Sequence, residues 1–317
     1  MNAVQETEPG RVWIRSIIMS GSSARLVPSA HIAELFFPLM ASEPQVVETV
    51  RRIAGFGYYR AVETGIITGS REREALRERV ASTPLILTQW LTFALLNEQL
   101  NLSSLDPALR RKSVARAREL AHLAAECGTR KLSLVSGADP GEARRDEALA
   151  AFGDSLVALG ETVSQYPDMI LQLEPLDRFA HKRQLIGFSD ETARWMQALR
   201  PDCPKLYIAW DSAHVALNQE ALATSLRQCA PLMSQLHLSN AILDPAQPGY
   251  GDYHMKFGAP GFLTAEVARE IITVARSLEP PPELDEITIA IEMRTTEQDD
   301  LWANERECRE FLQAAMA

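Results

Sequence analysis

Four polar residues close short apolar runs in the second half of the chain: Glu174 in LQLE, Asp211 in YIAWD, His237 in LHL and Glu292 in IAIE. Taken singly, a carboxylate in such a place is a solvated edge or the partner of a nearby arginine. Four in succession imply more. If the runs are strands whose ends open on one mouth, three carboxylates converge there and raise one another's pKa unless a cation lies between them. Three oxygen donors and one imidazole suit Mn2+, Mg2+ or Co2+ and do not exclude Zn2+; Mn2+ is the ion expected first.

Residues so placed need a scaffold that gathers strand ends. Runs of β type occur at 12–20, 58–67, 84–90, 131–135, 168–174, 205–211, 234–238 and 286–292, several of them nearly continuous in apolar residues, as parallel strands covered on both faces are. Helical segments lie between them. Asp106-Pro107 and Asp139-Pro140 place a capping acceptor before a proline at the first helical position, and Ser189 and Thr264 suit the same role. The 107–127 segment is amphipathic and meets Gly128, and EQDDLWANERECREFLQAAMA reads as the closing helix. Strand and helix alternating eight times within one unit predict α/β architecture as a single (β/α)8 TIM barrel over 11–317, preceded by a flexible 1–10 tail. The competing open sheet would want a glycine-rich phosphate turn, and GxGxxG is absent.

Composition excludes several classes. The 317 residues are 46% hydrophobic and 23% charged, which is globular, and a net charge of −10 opposes binding to a phosphate backbone. Cys127, Cys203, Cys229 and Cys308 show no CxxC spacing, so reduced, partly buried thiols are expected. The N-terminal residues carry no secretory pattern and no apolar run is long enough to span a bilayer, so a cytoplasmic protein with no membrane or nucleic-acid partner is expected.

The succession LQLEPLDR, AWDSAH, QLHLSN and IAIE also resembles the xylose isomerase-like barrel superfamily, in particular its sugar isomerases and ketose 3-epimerases. The resemblance implies one metal held by Glu174, Asp211, His237 and Glu292, with Glu174 and Glu292 also the catalytic acid/base pair and His214 a catalytic residue contacting a substrate oxygen. The implied chemistry is removal of a proton beside a carbonyl to give an enediolate. Departures from the epimerase pattern are Ala180 where a further Glu is usual, Leu243 where an Arg is usual, and Asp177 in place of Asn. The segments EPLDRFAHKRQLIG and YGDYHMKFGAPG resemble the catalytic subunits of C-glycoside deglycosylases, which cleave a 3-oxo-glycoside.

Further substrate contacts are expected from Arg178, His181, His254, Arg294 and Glu63. Four of them have a structural alternative: a backbone hydrogen bond for the two histidines, an ion pair for Glu63 and Arg294. His31 and His122 read as helical surface or packing residues, and Trp210 as core. Three functions follow: a metal-dependent sugar isomerase or epimerase, a lyase on an oxidised glycoside working with a small second subunit, and a non-catalytic sugar-binding barrel. The expected ligand is a sugar or glycoside, and the expected assembly a homo-oligomer.

Overall fold

A computed structural model describes residues 25–317. Its strands are β1 (Arg25–His31), β2 (Ala61–Gly65), β3 (Ile86–Trp90), β4 (Lys131–Val135), β5 (Ile170–Glu174), β6 (Leu206–Asp211), β7 (Met233–Ile242), β8 (Gly251–Met255) and β9 (Glu286–Glu292). Eight of them form a parallel ring in the order β1-β2-β3-β4-β5-β6-β7-β9, closed by pairing of β9 with β1, while β8 lies antiparallel on the extended end of β7. Helices follow the ring strands on the outside. Among the described residues, no helix is long and apolar enough to cross a membrane.

The expected flexible tail at 1–10 and strand at 12–20 lie outside the described residues. Within them, the first barrel strand is RLVPSAH, a stretch that strand periodicity does not mark. Its Pro28 sits between two parallel neighbours, opposite Ile289, and its carbonyl accepts from the Arg60 amide at 2.9 Å. Proline has no N–H to give a ladder, so a proline inside a run argues against a central strand. That rule hides β1.

The apolar residues of the ring point outward, as Leu132, Leu134, Leu171, Leu173, Leu236 and Ile289 show by being fully buried under the helices. Period-two alternation then turns polar residues into the lumen. Lys131 Nζ donates to the Ser234 carbonyl at 2.7 Å and to Thr288 Oγ1 at 2.9 Å, and burial pushes its amine down to about 7. Ser133 donates to Gln172 Oε1 at 3.0 Å, and Gln172 Nε2 donates to Ser234 Oγ at 2.6 Å. Barrel lumens are usually filled with branched aliphatics. This one is filled by hydrogen-bonded side chains that build a polar floor under the mouth.

Two of the four expected helix starts behave as the sequence predicts. Asp106 accepts from the Ala108 amide at 2.9 Å ahead of Pro107–Glu126, and Thr264 accepts from Val267 ahead of Ala265–Arg276. Two do not. Asp139 caps no helix; the segment after it opens as a short 3-10 turn, and the carboxylate pairs instead with Arg178 and Arg145. Ser189 is the first residue of its helix rather than the cap, its hydroxyl occupied by Glu220 and Ser225. All four cysteines are buried and free.

The segment after β7 is a hairpin. Asn240 holds its far limb, donating to the Lys256 and Gly258 carbonyls at 2.7 and 2.8 Å and accepting from the Leu263 amide at 2.8 Å. Gly261 passes so close to Asn240 that a Cβ there would lie 2.2–2.4 Å from its amide group, so only glycine fits. The clamp fixes β8 over one side of the mouth.

Candidate active site

Glu174, Asp211 and Glu292 are the last residues of β5, β6 and β9, and His237 sits level with Asp211 and Ala290 across the β6–β7–β9 ladders. One ligand atom from each of the four lies within 4.8 Å of the others. All are buried, and two of them, Glu174 and Glu292, line a cavity of about 430 Å³ at the C-terminal mouth of the barrel. His237 Nδ1 lies 3.0 Å from Glu292 Oε2 and 3.2 Å from Glu174 Oε1. Its other nitrogen lies 3.1 Å from Glu63 Oε2.

The electrostatics favour a cation. Burial pushes the Asp211 carboxyl up to about 8; His214 opposes this, and Glu292, Glu174 and Asp252 add to the rise. Burial disfavours a charged His237, yet Glu63 and Glu292 outweigh it and hold the imidazole well above its ordinary value. Burial likewise opposes ionisation of Glu292, but His237 and His254 keep it well below the carboxylate range. Asp211 Oδ1 caps the following helical turn through the Ala213 and His214 amides, whereas its Oδ2 is buried with no partner. An orphaned buried carboxylate oxygen, beside two more carboxylates and an imidazole, fits a divalent ion. Glu63 would then orient His237 by accepting its Nε2 proton.

This arrangement makes cation affinity depend on pH. A bound ion requires Asp211 ionised and His237 neutral, whereas without the ion burial raises Asp211 to about 8 and Glu63 and Glu292 raise His237, so both hold their protons more tightly. Binding releases them, so raising pH tightens it, by about tenfold per unit for each proton released. Titrating Mn2+ into metal-free protein at about pH 6 and about pH 7.5 should show the lower dissociation constant at the higher pH; equal values would mean that Asp211 is already ionised and His237 already neutral at the lower one.

The other expected contacts divide into two groups. His214, His254 and Arg294 line the cavity. His214 lies with Nδ1 3.4 Å from Asp177 and Nε2 3.7 Å from Asp252; burial opposes its charge, but Asp211 and Asp177 raise it to about 10. His254 comes from β8 with a left-handed backbone, φ 51°, and its Nδ1 is 3.0 Å from Glu292 Oε1. Burial opposes the charge of His254 too, and Glu292 and Asp252 raise it to about 9. Arg294 forms a double hydrogen bond with Glu34 at 2.5 and 2.7 Å, so it is already committed to a carboxylate.

Arg178, His181 and Glu63 do not line the cavity, which corrects their expected substrate contacts. Arg178 is turned away by its pairing with Asp139 at 2.6 Å. His181 packs at a tilt on Tyr253 of β8, with centroids 4.3 Å apart. Glu63 is fully buried beneath His237, held by Ser29, Trp90 and Gln235, and its carboxyl falls to about 2 as His237 and His31 overcome the cost of burial. His31 is a second correction: it ends β1 instead of sitting in a helix, faces the cavity, and stacks on Trp90 at 5.8 Å. His122 is helical and bonded to Tyr166, and Trp210 is core, donating to Ser225 at 2.7 Å.

Three cavity residues carry no signal that strand periodicity picks out. Glu34 follows β1 by three positions and is hidden with it. Lys182 bridges Asp252 at 3.1 Å and His254 at 3.2 Å. Trp90 ends β3, where an aromatic reads simply as the end of a strand. A strand-end search that admitted proline would find His31 and Glu34.

The model of the xylose isomerase-like TIM barrel family matches residues 50–272. No curated protein sequence matches the chain. Among solved structures, a D-psicose 3-epimerase in the presence of D-fructose superposes with a TM-score of 0.67 at 13% identity, over 91% of this chain and 97% of that one. A 3-keto-D-glucoside 4-epimerase from E. coli gives 0.61 at 16% identity, over 85% and 93%. The IOLI protein with a binding zinc atom gives 0.65 at 11% identity, over 92% and 95%. At such identities the likeness is one of fold. With two thirds of its length matched by that model and a closed eight-stranded parallel ring, the chain belongs to the xylose isomerase-like TIM barrel family.

Proposed function

We propose that the chain is a divalent-metal-dependent sugar isomerase or epimerase that transfers a proton at a carbon next to a carbonyl. The observation that carries this is the pair of buried carboxylates, Glu174 and Glu292, that share His237 Nδ1 and line one cavity. The names of the structural neighbours point the same way. Glu174, Asp211, His237 and Glu292 would hold the ion, which when bound polarises a carbonyl and a neighbouring hydroxyl and so acidifies the C–H between. One carboxylate takes that proton, and the C–H electron pair moves into the carbonyl to give an enediolate. The other, from the opposite side, returns a proton to the same carbon, which inverts it. His214, charged and facing the cavity, donates a hydrogen bond to a substrate oxygen.

The test is solvent exchange. Protein loaded with Mn2+ and incubated with a ketose or a 3-oxo-glucoside in deuterium oxide should incorporate deuterium at the carbon beside the carbonyl, and chelation should abolish this. A metal-replete protein that exchanges neither class would overturn the proposal.

A second reading is favoured by His254, whose charged ring lies on the Glu292 side of the cavity. A proton donor there suits a lyase, in which the electron pair left by C–H cleavage expels a group one carbon further on and His254 protonates it. Release of an aglycone from a 3-oxo-glycoside would distinguish it.

A further inference from the structure

The cavity has two unlike walls. The polar lining includes Glu292 at the end of β9, His254 of β8, and Arg294 and Glu34, which pair with each other. The residues after β3 contribute Phe93, Leu95, Leu96, Leu100 and Leu102. In the ring order β3 stands opposite β7, which carries the hairpin and His254, so the apolar wall lies across the mouth from His254, while at its edge Arg294 lies over the Phe37 ring at 4.5 Å. The packing of that wall is incomplete. Leu96 is 65% exposed and Phe37, beside Phe93 at 6.5 Å between centroids, is 39% exposed, so an apolar patch borders the opening.

A free monosaccharide carries hydroxyls on every edge and would leave them facing leucines, losing water without gaining hydrogen bonds. At about 430 Å³ the cavity also falls within the roughly 300–1,000 Å³ of sites that enclose drug-sized ligands. We infer that the substrate is a sugar bearing a ring-sized apolar substituent, with the sugar on the carboxylate side and the substituent against Phe93 and Leu96. This rests on the proton-transfer reading for the sugar half, and on the apolar wall alone for the other half. Covering the exposed leucine and phenylalanine is the gain that a methyl group in the same position cannot match.

Binding of phenyl and methyl 3-oxo-β-D-glucosides to the Mn2+-loaded protein separates these halves. The phenyl compound is expected to bind at least about tenfold more tightly. Leu96→Ser and Phe93→Ser should shrink that preference toward unity, while Leu96→Met retains it; Leu96 lies largely in solvent, so its variants keep the fold. Equal affinities in the wild type, or a preference unchanged in both serine variants, would overturn the inference, as would failure of the phenyl compound to bind. Preferential binding without deuterium exchange would sink the proton-transfer reading and leave this one standing; exchange with equal affinities would do the reverse.

Discussion

Glu292→Gln should abolish turnover, by roughly 10²–10⁴-fold for loss of the proton carrier alone and more because a donor to the ion goes with it. The amide has nearly the same shape but cannot accept a proton from carbon, and it withdraws the charge that both His237 Nδ1 and His254 Nδ1 face at 3.0 Å. Glu174→Gln should fail in the same way, since Glu174 faces the same imidazole nitrogen at 3.2 Å. The two differ in a useful respect. Glu292 is the common member of all three groups of close His, Asp and Glu side chains at this mouth, so its variant should also disturb His254. Deuterium exchange per bound ion, with metal content measured on the same sample, checks both; an active, metal-replete Glu292→Gln would show that another group carries the proton.

His237→Ala should lose both the ion and much of the stability. The ring is fully buried and lies within 3.2 Å of Glu63, Glu174 and Glu292, so its removal leaves buried carboxylates with no partner. Breaking a buried pair by deleting one member costs about 3–5 kcal/mol. A fall in the urea midpoint together with loss of bound metal is expected; a variant that stays stable and metal-replete would remove His237 from the site. Glu63→Gln should be milder, weakening the ion's affinity by roughly 10–100-fold, the usual effect of losing the group that orients a ligand histidine.

What the sequence conveys about the site follows from the period of a strand. In β5, β6 and β9 an apolar run ends abruptly on a carboxylate, and in a parallel ring every such end faces the same way, so the positions of Glu174, Asp211 and Glu292 can be read before any fold is known. The same signal misleads where a strand breaks the compositional rule. Pro28 disguises β1, and with it His31 and Glu34. It also says nothing of rotamers: Arg178 follows Glu174 by four residues, yet a carboxylate on another loop, Asp139, draws it away from the mouth.

By itself, then, the sequence determined the ring apart from its first strand, its helical cover and the four polar residues that end or interrupt its later strands, because these depend on local periodicity and on where apolar runs stop. Only the tertiary structure decided which side chains meet. The seating of Glu63 under His237, the polar lumen around Lys131, the descent of His254 from the clamped hairpin and the leucine wall opposite it all join segments far apart in the chain. Such contacts are set by closure of the barrel, where a difference of one residue in register turns a side chain from lumen to helix layer.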